Sequence, residues 1–440
     1  MTNSSRQASP SPRQAALRLI IASRLDKLTF DEAIQQENLY KHFNPQERKF
    51  IRSLYAAFFR HFGQTQTIMK LFFKPKSDRS FKEAACLICL GLTELLFLKT
   101  DDHAAIHSAV ELSKTKKLAG FQSVVNAVLR RSQRARDNGS LTKKVLSDDV
   151  LTIPYWIQRK IQPLLSNEDL IKLAQIYQST PPLDLYITKE PEKWAETLKG
   201  DLFPPATIRI QNPEGQIENL EGFSDGVWWV QDLSATLPVY LFSDIKGKTV
   251  HDLCAAPGGK SLQLAHLGAH VIAYDKSADR LERVKENADR TKLPLTIVEQ
   301  DFFDFKPTEP LENILLDAPC SATGTMRRHP ELGWIKEEED IMPLFSMQKG
   351  MLRKAARLLA EGGTLVYCTC SVLPEEGERQ IETFLKENPD FETFIPDQFQ
   401  PIIEHYQLSA PDNMIRTWPH SFEGQNGMDG FFMCAIRHKK

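Results

Sequence analysis

The chain has no apolar run that approaches the roughly 20 residues a bilayer-spanning helix requires, which excludes a helical membrane protein. Its opening residues, MTNSSRQASPSPRQ, lack the apolar core of a secretory signal. Cysteine is scarce: seven residues in 440, without framework spacing, exclude a disulfide scaffold and predict a reducing, cytoplasmic setting. No internal repeat of fixed period is present, so a chain of this length is expected to divide into two or three domains. An overall excess of charge is missing too, with 55 Lys and Arg against 57 Asp and Glu.

That balance hides an asymmetry. Residues 1–144 hold 25 Lys and Arg against 12 Asp and Glu, whereas residues 145–440 hold 30 against 45. A basic first third on an acidic remainder is expected where the N-terminal part attracts phosphates and the rest has another task. Residues 1–11, rich in Ser, Pro and Asn, read as a disordered leader. Over residues 12–140 apolar side chains recur at helical spacing, as in Ala15, Leu17, Leu19, Ile20 and Leu54, Tyr55, Phe58, Phe59, Phe62, which predicts an all-α domain. Asn44-Pro45, Lys74-Pro75 and Asp101-Asp102 divide it into helices of ordinary length. The stretch 119–136 ends in Arg130, Arg131, Arg134 and Arg136, either a track for a phosphate backbone or a solvated helix end.

Over residues 141–240 prolines interrupt short apolar runs; strands over 183–188, 207–211 and 227–230 and a helix over 192–198 predict a small α+β module. Over residues 241–440 strands at 249–253, 270–274, 295–299, 313–316 and 364–368 alternate with helices from Lys260, over 278–290 and over 342–360. Such alternation predicts a mostly parallel sheet covered on both faces, an α/β Rossmann-like domain.

In doubly wound sheets ligands bind beyond the carboxyl ends of the strands. The first strand here runs into Asp252-Leu253-Cys254-Ala255-Ala256-Pro257-Gly258-Gly259-Lys260. The run is neither a Walker loop nor a G-x-G-x-x-G fingerprint, but its glycines let a ligand come close to the backbone. The second strand ends in Asp275, whose carboxylate can accept both hydroxyls of a ribose, and Asp301 beyond the third can accept an adenine amine. Together the three strand ends predict an adenosine-containing ligand without required phosphates, although a lone Asp after a strand is more often a cap or turn residue.

Cys320, in Asp317-Ala318-Pro319-Cys320-Ser321, follows the fourth strand, and Cys370, in Cys368-Thr369-Cys370-Ser371, follows the next. Both are expected on the rim of one crevice, where a thiolate can serve as nucleophile. The bland reading, a small buried hydrophobe, fits Cys368, Cys86, Cys89 and Cys434. Cys86-x-x-Cys89 lies on an apolar helix face with no second ligand pair, so no metal site is expected. These residues alone leave open which rim cysteine attacks.

The motifs resemble those of the RNA cytosine-C5 methyltransferases, the NOL1/NOP2/Sun family, and within it the bacterial Fmu/Sun type that acts on 16S rRNA. The likeness rests on Cys254 to Lys260, Asp275, Asp301, Asp317 to Ser321, Thr323-Gly324, Arg327-Arg328-His329-Pro330, Tyr367 to Ser371, Glu375-Glu376 and Asp429-Gly430-Phe431-Phe432. It spans the whole chain, because that branch carries an N-terminal domain like the antitermination factor NusB. The resemblance therefore implies a multidomain protein: a NusB-like RNA-binding domain over 12–140, a linker with a small RRM-like module over 141–240, and a methyltransferase domain over 241–440.

What the resemblance implies about chemistry is specific. S-adenosylmethionine is the cofactor, held by Cys254, Ala255, Ala256, Pro257, Gly258, Gly259, Lys260, Asp275, Arg280, Asp301 and Asp317, with no metal. Cys370 is the thiolate that adds to cytosine C6, Cys320 assists loss of the C5 proton, Asp317 meets the N3 edge, and Lys260 orients the loop and the target base. DNA cytosine methyltransferases instead use the cysteine of a Pro-Cys pair, here Cys320; the Thr-Cys-Ser turn at Cys370 separates the RNA branch. The implied partner is ribosomal RNA, in a loop or with a flipped base, with no DNA, no membrane and the chain as a monomer. Transfer RNA as substrate, a non-catalytic RNA-binding factor and a small-molecule methyltransferase are the competing readings. Two positions depart from the family pattern and bear on RNA register: Thr236, where Gln is frequent, and Leu332-Gly333-Trp334-Ile335-Lys336 after Arg-His-Pro.

Overall fold

The computed structural model describes residues 10–38, 40–115, 117–141, 145–213, 215–422 and 424–439. Most of the expected leader, residues 1–9, lies outside the described residues. The chain divides into two compact units: Met1–Gln178 with His329–Glu337, and Ser179–Arg328 with Glu338–Lys440.

The first unit is helical: α1 (Pro12–Asp26), α2 (Phe30–Glu37), α3 (Pro45–Arg60), α4 (Phe62–Phe72), α5 (Arg79–Leu96), α6 (Asp102–Ser113), α7 (Gln122–Asp137), α8 (Tyr155–Ile161) and α9 (Asn167–Gln178). The turn residues act as N-caps. Asn44 and Glu47 close a reciprocal capping box ahead of Pro45, and the Asp101 carboxylate accepts from the His103 and Ala104 amides. α5 is apolar almost all round, with Cys86, Leu87, Ile88, Cys89, Leu90 and Leu92 buried, so it is the central helix of this core. Arg136 is engaged within the unit: its guanidinium donates to both oxygens of Asp102 at 2.9 and 2.6 Å, with the side chain 28% exposed. Arg130 donates to Gln133, whereas Arg131 and Arg134 are exposed.

Residues 329–337 belong to this helical unit although they follow the fourth strand of the Rossmann-like region in sequence. Trp334 stands edge-on to Phe62 with ring centroids 5.1 Å apart, over Gly63, where a Cβ would lie 2.9 Å from the indole. Its carbonyl accepts from Arg24, the Trp156 indole donates to the Gly333 carbonyl at 3.2 Å, and the Phe30 amide donates to Glu331 at 3.3 Å. The departure at 332–336 thus falls on a packing strap rather than on a base-reading loop.

The second unit holds two sheets. β1 (Leu183–Ile187), β2 (Asp201–Phe203), β3 (Thr207–Ile210) and β4 (Trp228–Val230) form an antiparallel sheet in the order β2-β3-β1-β4, with a helix over Pro191–Leu198. The other comprises β5 (Thr249–Asp252), β6 (His270–Asp275), β7 (Leu295–Glu299), β8 (Leu311–Asp317), β9 (Leu359–Thr369), β10 (Phe391–Phe394), β11 (Met414–Thr417) and β12 (Phe431–His438). Its order is β10-β12-β9-β8-β5-β6-β7, with β11 on β12. β5 to β9 pair in parallel, and β10 to β12 add an antiparallel edge. Alternation along β8 and β9 serves both faces: Leu315, Val366 and Cys368 enter one core, Ile314, Leu316, Leu365 and Tyr367 the other. β5 lies between β6 and β8, so the winding reverses there, and the loop after β5 opens at the switch point where such sheets bind ligands.

Three loops at that end are locked by backbone contact. The Gly324 amide donates to the Cys370 carbonyl at 3.0 Å, and the Gly430 amide donates to the Gly324 carbonyl at 2.9 Å. A Cβ on Gly324 would lie 1.8 Å from the Gly430 carbonyl oxygen, so only glycine fits. A set of buried ions braces the same loops. Arg209 grips Asp184 through two 2.7 Å bonds and donates to the Gln425 and Gly427 carbonyls. Arg327 and Arg328 both reach Asp232 and Asp429. Burial alone would raise the pKa of Asp232, but the two guanidiniums hold it well below the usual carboxylate range.

Gly324→Ala is expected to lower stability by about 1–3 kcal/mol, because backbone must move to admit the methyl group. Gly120→Ala, with nothing within 4 Å of the added atom, is expected to leave the melting temperature within error by calorimetry. Equal melting temperatures for the two variants would contradict this account.

Candidate active site

The loop after β5 is shaped by Gly258 at φ +106°, a left-handed conformation that glycine adopts freely and that starts the helix Gly259–His266. Asp252 anchors its base by accepting from Ser261 Oγ at 2.6 Å; burial pushes this carboxyl up to about 7. Asp275, at the end of β6, accepts from the Ala256 amide at 3.3 Å and the Ser277 amide at 3.1 Å. Arg280 pairs with Asp275 at 3.1 Å and donates to the Ala256 carbonyl at 2.6 Å, so it ties the second strand end to the loop. Asp301 accepts from the Phe303 amide at 2.8 Å, which makes it a turn acceptor with one oxygen engaged. The set fits a nucleoside ligand: a nearly buried carboxylate for a ribose, a backbone-lined bend, and a second carboxylate on the neighbouring strand end.

Lys260, 9% exposed, donates to Asp317 Oδ2 at 2.7 Å and lies 4.7 Å from the centre of the Phe431 ring. Burial would lower the pKa of this ammonium, but Asp317, and to a lesser degree Cys368 and Cys370, raise it above the ordinary lysine value. It is therefore a fixed cation. Cys368 is fully buried and its thiol points at Asp317 Oδ1 from 3.6 Å, as a core residue of β9.

Cys320 and Cys370 come together from two loops with their sulfurs 3.4 Å apart. The hydrogen bond with Cys370, burial and the charge of Glu376 push the Cys320 thiol well above its usual value. Cys254, which starts the cofactor loop, is pushed up chiefly by burial, and so are Cys86 and Cys89, both to about 12. Those three are thiols at neutral pH. No group of three metal-ligating side chains occurs among the described residues.

Glu376 was legible in the sequence only as part of a motif, without a role. Fully buried, it accepts from the Ser321 amide at 2.8 Å, from the Ser321 hydroxyl, from the Ser371 hydroxyl at 2.6 Å and from Gln348 at 3.0 Å. Ser321 follows Cys320 and Ser371 follows Cys370, so one carboxylate ties both cysteine loops together. Gln348, from the helix Ile341–Leu358, also donates to the Pro319 carbonyl at 2.9 Å and was missed altogether, because a buried glutamine on an amphipathic helix has no sequence signature. Thr236 is buried, with its hydroxyl on the Leu233 carbonyl at 2.7 Å, and plays a local structural part.

Comparison with known proteins agrees with this geometry. The family described as 16S rRNA methyltransferase RsmB/F matches residues 239–437, and the NusB family matches residues 10–134. A relative named ribosomal RNA small subunit methyltransferase B, from Cronobacter sakazakii, is 33% identical over 78% of this chain and 83% of its own length. The crystal structure of PH0851 shares the fold with a TM-score of 0.73 at 21% identity, over 96% of this chain and 98% of that one. That of NSun6 from Pyrococcus horikoshii with SFG has a TM-score of 0.55 at 18% identity, over 65% of this chain and 98% of that one. With helical domain and sheet each matched in place, this chain belongs to the 16S rRNA methyltransferase RsmB/F family, whose methyl donor is S-adenosylmethionine.

Proposed function

We propose that the chain methylates C5 of a cytosine in small-subunit ribosomal RNA, with Cys370 as the covalent nucleophile. The observation that carries the reading is the unequal surroundings of two sulfurs 3.4 Å apart. The Lys260 cation acts on Cys370, whereas the buried Glu376 carboxylate acts on Cys320. The Cys320 thiol, pushed up by its hydrogen bond with Cys370, burial and the Glu376 charge, is the sulfur that keeps its proton, so Cys370, on the Lys260 side, is assigned the attack.

The residues then divide the work. Cytosine C5 is too weak a nucleophile to attack alone; Cys370 Sγ bonds to C6, the C5=C6 pair shifts toward C5, and that carbon becomes enamine-like. When bound, S-adenosylmethionine supplies an electrophilic methyl group to C5. Asp317 keeps one oxygen on Lys260 and faces the N3 edge with the other, where it accepts from the proton that N3 takes from solvent as electron density gathers during addition and returns at elimination. Lys260, between Asp317 and the Phe431 ring, orients the base. Cys320 gives its own proton to solvent water, and its sulfur, the stronger base of the pair, then takes the C5 proton; the C–H electron pair re-forms C5=C6 and Cys370 departs as thiolate.

Both cysteine roles are tested with labelled donor and RNA. Cys370→Ser is expected to lose methyl transfer by on the order of a thousandfold or more and to form no RNA adduct. Cys320→Ser is expected to trap a protein–RNA adduct that migrates slowly in a denaturing gel. The opposite pattern would make Cys320 the nucleophile.

Glu376 is a positioning residue in this scheme. In Glu376→Gln the amide sets N–H groups against the donors of Ser321, Ser371 and Gln348, at about 1–3 kcal/mol for each acceptor bond lost. We expect kcat to fall at least about tenfold while KM for RNA moves little, as for an interaction felt at the reacting atoms. A pure KM effect would remove Glu376 from the reacting centre.

A further inference from the structure

The helical unit contains a cavity of about 550 Å³, walled by α1, α4, α5 and the end of the 329–337 strap, and its composition matches none of the catalytic chemistry. The volume lies within the range of about 300–1,000 Å³ usual for ligand sites. The floor is apolar: Phe62 and Met69 are buried, and Cys86 and Cys89 present neutral thiols. The walls are cationic, with Arg24, Lys27, Lys70, Arg79 and Lys82 against Glu337.

Two of those cations are neutralised within the unit. Arg79 is held by Asp26 at 2.8 Å and Glu83 at 3.1 Å, and Lys27 pairs with Glu337 at 3.1 Å. Lys70 and Lys82 are not, and Arg24 feels only the Glu337 carboxylate that Lys27 already pairs with. Arg24 lies 4.5 Å over the Phe62 ring, and its hydrogen bond goes to a backbone carbonyl. The Lys70 ammonium reaches only the neutral amide of Gln66 at 3.0 Å, and the Lys82 side chain makes no hydrogen bond or ion pair among the described residues. Lys70 and Lys82, with Arg24 only partly offset by Glu337, leave this apolar hollow with uncompensated positive charge, a cost that an anion bound among them would offset. A guanidinium plane beside a cationic rim is the pattern that stacks a base and holds its phosphates.

We propose that this cavity binds one unstacked nucleotide of the RNA substrate, its base on the Arg24 guanidinium that covers the Phe62 ring and its flanking phosphates on Lys70 and Lys82. The inference rests on RNA being the substrate, as proposed above, and it assigns the helical unit a defined single-strand contact rather than a diffuse basic surface.

The test uses the full chain and a fluorescent single-stranded fragment of small-subunit ribosomal RNA. Lys70 and Lys82 are exposed at the helix surface, so Lys70→Gln/Lys82→Gln is expected to fold as the parent does, checked by circular dichroism. Binding should weaken about tenfold at physiological salt, and the slope of log K against log salt should shrink by about 1.4, for two single-strand phosphates at about 0.7 each. Arg24→Met should weaken binding as well, through the cation over the Phe62 ring. Parental affinity and slope in both variants would overturn the proposal. So would a loss confined to an acidic peptide, with RNA binding untouched. Methyl transfer by the unmodified chain to the same RNA is followed in parallel: no transfer defeats the substrate reading, whereas transfer with unchanged binding in the variants defeats the cavity alone.

Discussion

A carboxylate buried without a cation beside it is costly unless neutral donors satisfy its oxygens, and Glu376 meets that condition with four hydrogen bonds drawn from two loops and a helix. The arrangement is mutual. Ser321 and Ser371, which also meet each other and Thr323, both donate to the carboxylate, and the carboxylate would be stranded without them, so the two cysteine loops are held to one another. This bond set, together with the hydrogen bond between the two sulfurs, fixes their separation. The contact of Gly324 with Gly430 and the Cys370 carbonyl acts in the same sense from the backbone side.

Outside that centre lies a layer of paired ions. Arg209, Arg327 and Arg328 with Asp184, Asp232 and Asp429 balance three positive against three negative charges, all linked through short bonds. Such sets add little net stability compared with apolar packing, but they tolerate only one arrangement. Here they fix the loop that carries Thr323 to Arg328 against the small antiparallel sheet, which explains why motif residues far apart in sequence cluster in space. The module over β1 to β4 therefore acts as a brace for catalytic loops.

Much of this was legible in the residues. Period and cap signals located α3 and α6, and strand-helix alternation located β5 to β9 to within a few residues, because a buried parallel strand must read as an apolar run. The glycine bend, Asp275 and the two rim cysteines were read from their places at strand ends. The antiparallel edge β10 to β12 was not, since its pairing depends on distant partners and its strands carry no hairpin signal. The pairing of Arg136 with Asp102 was not legible, because a helical arginine looks the same whether or not a carboxylate from another helix meets it. Glu376 and Gln348 were silent for a related reason: burial of a polar side chain is decided by tertiary contacts that local pattern does not encode.

The 329–337 strap has a consequence for how the chain is made. Phe62 and Gly63 emerge from the ribosome some 270 residues, and Arg24 310 residues, before Trp334, the partner they pack against. The amino-terminal helices can collapse early, yet their last piece arrives only after most of the sheet has been synthesised, so the helical unit matures late despite coming first. A fragment cut after Gln178 would leave that face uncovered, and any dissection into separately produced halves has to carry the strap along with the helices.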